Sequence, residues 1–173
     1  MLCKRNRQIL ILTFWGGAAI VAGSMLTSFH QPFTLPSENI AALAPQPGWR
    51  VVHLLAAECG CSQRVSEYLA TRGPLEGIHE QVLFIGGANP FHNRDILLAR
   101  GFGVETAGNL EPFDLRGVPL LIFISPKNEI AYMGGYGVGS YRDAEIWKRL
   151  QAGSAVPLLP VFGCAIGANL KRG

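Results

Sequence analysis

From Ile9 to Phe29 the chain reads ILILTFWGGAAIVAGSMLTSF, 21 consecutive residues without a charge. As a helix this run rises about 30 Å, the thickness of a bilayer's hydrocarbon core. No polar face interrupts it, which disfavours a buried core helix. Lys4, Arg5 and Arg7 precede the run; apart from His30, the next ionisable group after it is Glu38. Positive charge collects on the cytoplasmic side of a span, so the N-terminus is expected in the cytoplasm and the remainder outside. An uncleaved anchor fits better than a cleavable signal peptide. The apolar region of such a peptide is usually about 7–15 residues, and the best small-residue site here, Ala42-Leu43-Ala44, is followed by Pro45.

That topology accounts for the charge. Fifteen Lys and Arg against twelve Asp and Glu give +3, and removing Lys4, Arg5 and Arg7 leaves twelve against twelve. A neutral exported part has no clustered basic surface for nucleic acid. Of four cysteines, Cys3 falls on the cytoplasmic side, whereas Cys59, Cys61 and Cys164 fall where disulfides are permitted. Three is odd, so one thiol stays free, pairs in trans or binds something.

The chain therefore divides into a cytoplasmic N-terminus (1–8), a transmembrane anchor (9–29) and a linker (30–48). A globular domain (49–153) and a tail carrying Cys164 (154–173) follow. The linker holds four of the eleven prolines and should be extended and fairly stiff. Within the domain, Val51–Ala56 is a short apolar run that reads as a buried strand. Ser62–Arg72 follows as a helix with Val65, Tyr68 and Leu69 on one face, ended by Gly73-Pro74. Gln81–Ile85 is a second strand. Asn89-Pro90 is expected to open a helix through Arg100, with Gly101 just past its end. After an irregular stretch, Leu120–Ile124 and Glu129–Met133 form an antiparallel hairpin across Pro126-Lys127-Asn128. Ser140-Tyr-Arg-Asp143 resembles a capping signature for a last helix that turns Ile146, Trp147 and Leu150 inward. The order β-α-β-α-β-β-α predicts an α/β fold, a three-layer α/β/α sandwich around a mixed sheet.

Two local features stand out in that frame. LLAAECGCSQRV places Cys59 and Cys61 where a strand hands over to a helix, and RGVPLLIFI leads Val118-Pro119 directly into the hairpin. Over roughly residues 49–150 the chain resembles thioredoxin-like domains. With its anchor and proline-rich spacer it is most similar to membrane-tethered TlpA-type thiol–disulfide oxidoreductases, and among these to RedB-type proteins. The resemblance implies a cis Pro119 beside the active cysteines, where a substrate strand could pair. It also implies location in a bacterial cytoplasmic membrane with the domain in the periplasm, and partners among envelope proteins bearing thiols or disulfides. No organic cofactor is needed beyond a redox-active disulfide.

The departure from the family is the spacing, one residue between the cysteines instead of two. Three alignments are open. Cys59 is the nucleophile and Cys61 its resolving partner; or Cys59-Gly-Cys-Ser62 acts as a CxxS-like site with Cys61 extra; or Cys61 is the essential thiol. The first is preferred because N–H groups and the dipole at a helix start stabilise a thiolate. Arg64 would help and Glu58 would oppose. A ring closed across one residue should be more easily reduced than one across two. The plain alternative is two cysteines buried as small apolar side chains.

Cys164 is either a packed or free tail thiol or a resolving cysteine for Cys59 or Cys61. His53, six residues before Cys59, reads as a satisfied core histidine. It also completes a rival set of Cys59, Cys61, Cys164 and His53 that could hold Cu(I) or Zn(II) in a copper-delivery protein. Thioredoxin-like copper-assembly proteins, however, space their cysteines by three residues and pair them with a distal histidine, a pattern not found here. GFGVETAG (101–108) and GGYGVGSYRD (134–143) lack the context and the Lys-Ser/Thr of nucleotide loops.

Overall fold

The computed structural model describes residues 12–21, 46–86, 93–106 and 115–166. The chain divides into two compact units, Met1–Gln31 and Pro32–Gly173. In the first, residues 12–21 are helical, with Leu12, Phe14, Trp15, Ile20 and Val21 exposed. Among the described residues no helix is long and apolar enough to cross a membrane. The rest of the expected 9–29 span lies outside them, as does nearly all of the expected linker.

The second unit holds β1 (Arg50–Ala56), α1 (Gly60–Arg72), β2 (His79–Ile85), α2 (Arg94–Ala99) and β3 (Gly103–Thr106). It continues with β4 (Gly117–Val118), β5 (Leu120–Ile124), β6 (Ile130–Gly134), α3 (Asp143–Gln151) and β7 (Cys164–Ala165). Five strands form one sheet in the order β3-β2-β1-β5-β6, and β4 and β7 form a separate pair. β1 and β2 are parallel, as are β2 and β3, while β5 runs antiparallel to both β1 and β6. The hairpin thus enters the sheet beside its central strand. The α/β fold with a mixed sheet is as the sequence predicts, and the Val118-Pro119 bond ahead of β5 is cis.

Period-2 alternation sorts the strand residues onto two faces. Val51, Leu55, Val82, Phe84, Leu121 and Phe123 pack with Val65 and Leu69 of α1, Leu97 of α2, and Ile146 and Trp147 of α3. Val52, Leu54, Leu83, Ile85, Leu120 and Ile122 face the other way, against Cys59, Leu115, Val118, Val161 and Ile166. Sequence reasoning places helices on both faces; all three described helices lie on one. The strand order is the reason. The steps β1 to β2 and β2 to β3 go in the same direction across the sheet, so right-handed crossovers put α1 and α2 on one side. β3 itself falls in the stretch whose sequence pattern predicts irregular chain.

Two helix starts also differ. α2 begins at Arg94, and Asn93 holds the N-cap position. The buried amide of Asn93 donates instead to Ser66 Oγ at 2.9 Å; Asn89-Pro90 lies outside the described residues. The end of α2 matches expectation. Gly101 takes φ +95, its N–H donates to Leu98 O, and that of Phe102 donates to Leu97 O, the helix-ending pattern in which Phe102 packs back near Leu97. α3 starts at Asp143 with no side-chain cap, so Ser140 does not cap it. Asp143 is drawn inward to accept from the Tyr68 hydroxyl at 2.7 Å and to pair with Arg72 at 3.0 Å.

Candidate functional site

β1 ends at Ala56 and the chain turns into α1 through Cys59, which takes the N-cap position in an extended conformation. Cys59 O accepts from Gln63 N–H at 3.0 Å, closing the first turn. Ser62 Oγ accepts from Ala56 N–H at 3.1 Å, tying the helix start to the strand end. These bonds fix Cys59 just past the end of β1, the sheet's central strand, and put Cys61 inside the first turn of a 13-residue helix.

Cys59 is disulfide-bonded to Cys164, with Cα atoms 6.0 Å apart and a sequence separation of 105. Cys59 is buried, at 2% exposure, whereas Cys164 is exposed. Cys59 Sγ lies 3.9 Å from Val118 O, directly before Pro119. Cys61 is a free, half-buried thiol. The Arg64 guanidinium donates to its sulfur at 3.4 Å; Glu58 is exposed.

Cys61, Arg64, Pro119, Tyr136, Tyr141 and Phe162 line part of a cavity of about 520 Å³. Thus Cys59, Cys61, Cys164 and Pro119 all meet at one end of the sheet. Sequence reasoning missed the aromatic walls. Tyr136 and Tyr141 sit in the glycine-rich 134–143 stretch, where aromatic residues between glycines were the available signal. Phe162 is in the tail, which sequence cannot place.

His53 belongs elsewhere. It is fully buried on the helix-bearing face, with Nδ1 2.6 Å from the Tyr136 hydroxyl and Nε2 2.8 Å from Glu80 Oε2. Both ring nitrogens are engaged, so it does not complete a metal set with the cysteines. Among the described residues no group of three or more His, Cys, Asp or Glu side chains is arranged to hold a metal ion.

The His53 network continues through buried charges. Glu80 accepts two bonds from Arg72, at 2.8 and 3.0 Å, and another from Leu75 N–H. Burial alone would raise the Glu80 carboxyl, but His53 and then Arg72 outweigh it and hold it at about 2. Burial, then the bond to Asp143, pushes the Tyr68 hydroxyl well up, and burial does the same for Tyr136. Both stay protonated, and Tyr68 donates to Asp143. Tyr136 joins the two regions: its ring lines the cavity and its hydroxyl meets His53.

The tail reaches the site as a strap. Gly135 N–H donates to Leu159 O at 2.9 Å, Val161 is buried, and Ile166 N–H donates to Arg116 O at 3.0 Å. Between those points β7 pairs antiparallel with β4, Cys164 opposite Val118 and Ala165 opposite Gly117. Gly135 is required beneath it, because a Cβ there would lie 2.0 Å from Pro160 O.

No family model matches the chain, and no curated protein matches it. Solved structures of similar shape include an uncharacterized conserved protein from Geobacillus kaustophilus, 16% identical, covering 69% of this chain and 76% of that one, with a TM-score of 0.48. A hypothetical protein from Sinorhizobium meliloti is 12% identical over 83% of this chain and 92% of its own, with a TM-score of 0.48. The thioredoxin domain of a thiol–disulfide oxidoreductase from Bacteroides vulgatus is 11% identical over 62% and 80%, with a TM-score of 0.43.

Proposed function

We propose that this protein is a thiol–disulfide oxidoreductase of the TlpA or RedB type, tethered to a bacterial cytoplasmic membrane by residues 9–29. Its domain faces the periplasm and exchanges disulfides with envelope proteins. One observation carries the reading: a cystine whose inner sulfur belongs to the N-cap of α1, with a third, free thiol one residue into that helix beside an open cavity.

The chemistry follows from which sulfur can be reached. Cys164 is exposed and Cys59 is not, so a partner thiolate attacks Cys164. The Cys59–Cys164 bond breaks, and Cys59 leaves as a thiolate facing the unsatisfied N–H groups of α1, a good leaving group for that reason. The partner's second thiol then attacks its own bonded sulfur, releasing Cys164 as a thiol. The partner dithiol ends as a disulfide and the protein as a dithiol. Cys61, with Arg64 at its sulfur, is a third thiol able to take the bond from Cys59.

Exchange with a model peptide disulfide, followed with each cysteine changed in turn, tests this. Cys59→Ser abolishes turnover and Cys61→Ser lowers it. Undiminished turnover in Cys59→Ser contradicts the reading.

A further inference from the structure

The strap does more than deliver a cysteine. Among the described strands β4 has one partner, β7, and that partner is two residues of tail, Cys164–Ala165, beginning with the cysteine bonded to Cys59. Extended segments add to free strand edges through main-chain hydrogen bonds, with side-chain pockets giving selectivity. The β4 edge lies where Cys59 Sγ approaches Val118 O, so a cysteine paired opposite Val118, as Cys164 is, meets Cys59.

We propose that Val161–Ile166 is an internal substrate: it occupies the seat on β4 that a partner's extended cysteinyl segment takes, and that seat admits a cysteine only when glycine precedes it. This rests on the exchange reading above and names the substrate class. Gly163 sets the rule. A Cβ at that position would lie 1.9 Å from Val118 O, 2.7 Å from Pro119 Cδ and 2.8 Å from Val118 C. Two of those atoms are backbone, which cannot swing aside as a flexible side chain can. The residue after the cysteine meets no such limit, since Ala165 is exposed. Three positions before the cysteine and two after it, Val161 and Ile166 are 5% and 8% exposed in the apolar layer with Leu115 and Val118. The segment selected is therefore apolar-x-Gly-Cys-x-apolar, extended, in an exported polypeptide.

Strap and partner cannot hold the seat together, and this gives the strap cysteine its role. In the reduced protein the Cys59 thiolate attacks the sulfur of a seated partner disulfide. A Cys59–partner bond forms, the partner's internal bond breaks, and its second sulfur leaves as a thiolate that takes a proton from solvent. When the strap returns, the Cys164 thiolate attacks Cys59 Sγ, re-forming Cys59–Cys164 and releasing the partner's first thiol. Two electrons pass from the protein dithiol to the partner disulfide.

The test uses the reduced full-length chain carrying Cys61→Ser and Cys164→Ser. The probe is the hexapeptide Val-Phe-Gly-Cys-Ala-Ile with its cysteine as a mixed disulfide to 2-thiopyridine. Thiopyridone release gives the rate, and mass mapping gives the site. A second peptide with alanine for the glycine should join Cys59 at least about tenfold more slowly, the ratio expected when a filled contact is overpacked. Adding Gly163→Val to the chain displaces the strap and speeds capture of the glycine peptide; the alanine-to-glycine ratio, which depends on the peptide alone, stays the same. Equal rates for the two peptides at Cys59 overturn the seat while leaving thiol exchange standing. No capture of either peptide at Cys59 in the folded chain overturns both.

Discussion

On the face of the sheet that carries Val51, His53 and Leu55, three helices supply the cover, and a buried chain of charges and hydroxyls runs beneath them through Glu80, Arg72, Asp143 and Tyr68. On the face that carries Val52, Leu54 and Ala56, none of the described helices packs. Its cover includes Val161 and Ile166, held in place by a short strand pair and one cystine. In the first cover α1 and α2 belong to the βα crossovers and α3 follows the hairpin. The second is a tail with little regular structure, fastened by a bond that reductants break. The cover built of helices and the cover fastened by a cystine thus lie on opposite sides of one sheet, and Cys59 and Cys61 lie with the second.

The largest effect should come from breaking the helical side. Glu80→Gln leaves Arg72 and His53 without their shared anion and should cost roughly 3–5 kcal/mol, the cost of removing one partner of a buried pair, read as a lowered denaturation midpoint. Acid titrates the same carboxylate. Held at about 2 against an ordinary 4.5, it contributes its full stabilisation above pH 4.5 and loses it as pH falls toward 2, a change of roughly 3 kcal/mol. Stability that stays flat from pH 5 to 2.5 would show that the network does not hold the helical face. A smaller loss is expected on the other side. Cys164→Ser opens a long covalent loop and should cost about 2–4 kcal/mol, while the far-UV signal of the helices is kept. Loss of the helices along with the strap would erase the distinction between the faces.

What the sequence revealed and what it hid divide along physical lines. Val51–Ala56, the α1 face of Val65 and Leu69, and the β5–β6 hairpin follow from local periodicity, and the junctions around Cys59 and Val118-Pro119 are local as well. The side of the sheet that α2 takes depends on strand order, which no local pattern encodes. The capping roles expected of Asn89 and Ser140 rest on local propensity. Asn93 instead takes the N-cap position of α2 with its amide on Ser66, and the chain enters α3 through Asp143, drawn inward by Tyr68 and Arg72. The Cys59–Cys164 bond spans 105 residues, and nothing in the tail's own sequence says where it lies. Cys164 was legible as a candidate resolving thiol. Its place opposite Val118, and the need for Gly163 before it, appear only when β4 and β7 are side by side.

The most direct measurement is a redox titration of the folded, full-length protein in thiol–disulfide buffers, with mass mapping of the cysteines at each potential. A two-electron transition of Cys59–Cys164 above roughly −300 mV, complete before any loss of helical signal, is the predicted result. A bond that persists at every potential until the protein is unfolded would mark it as a structural clamp and contradict the assignment.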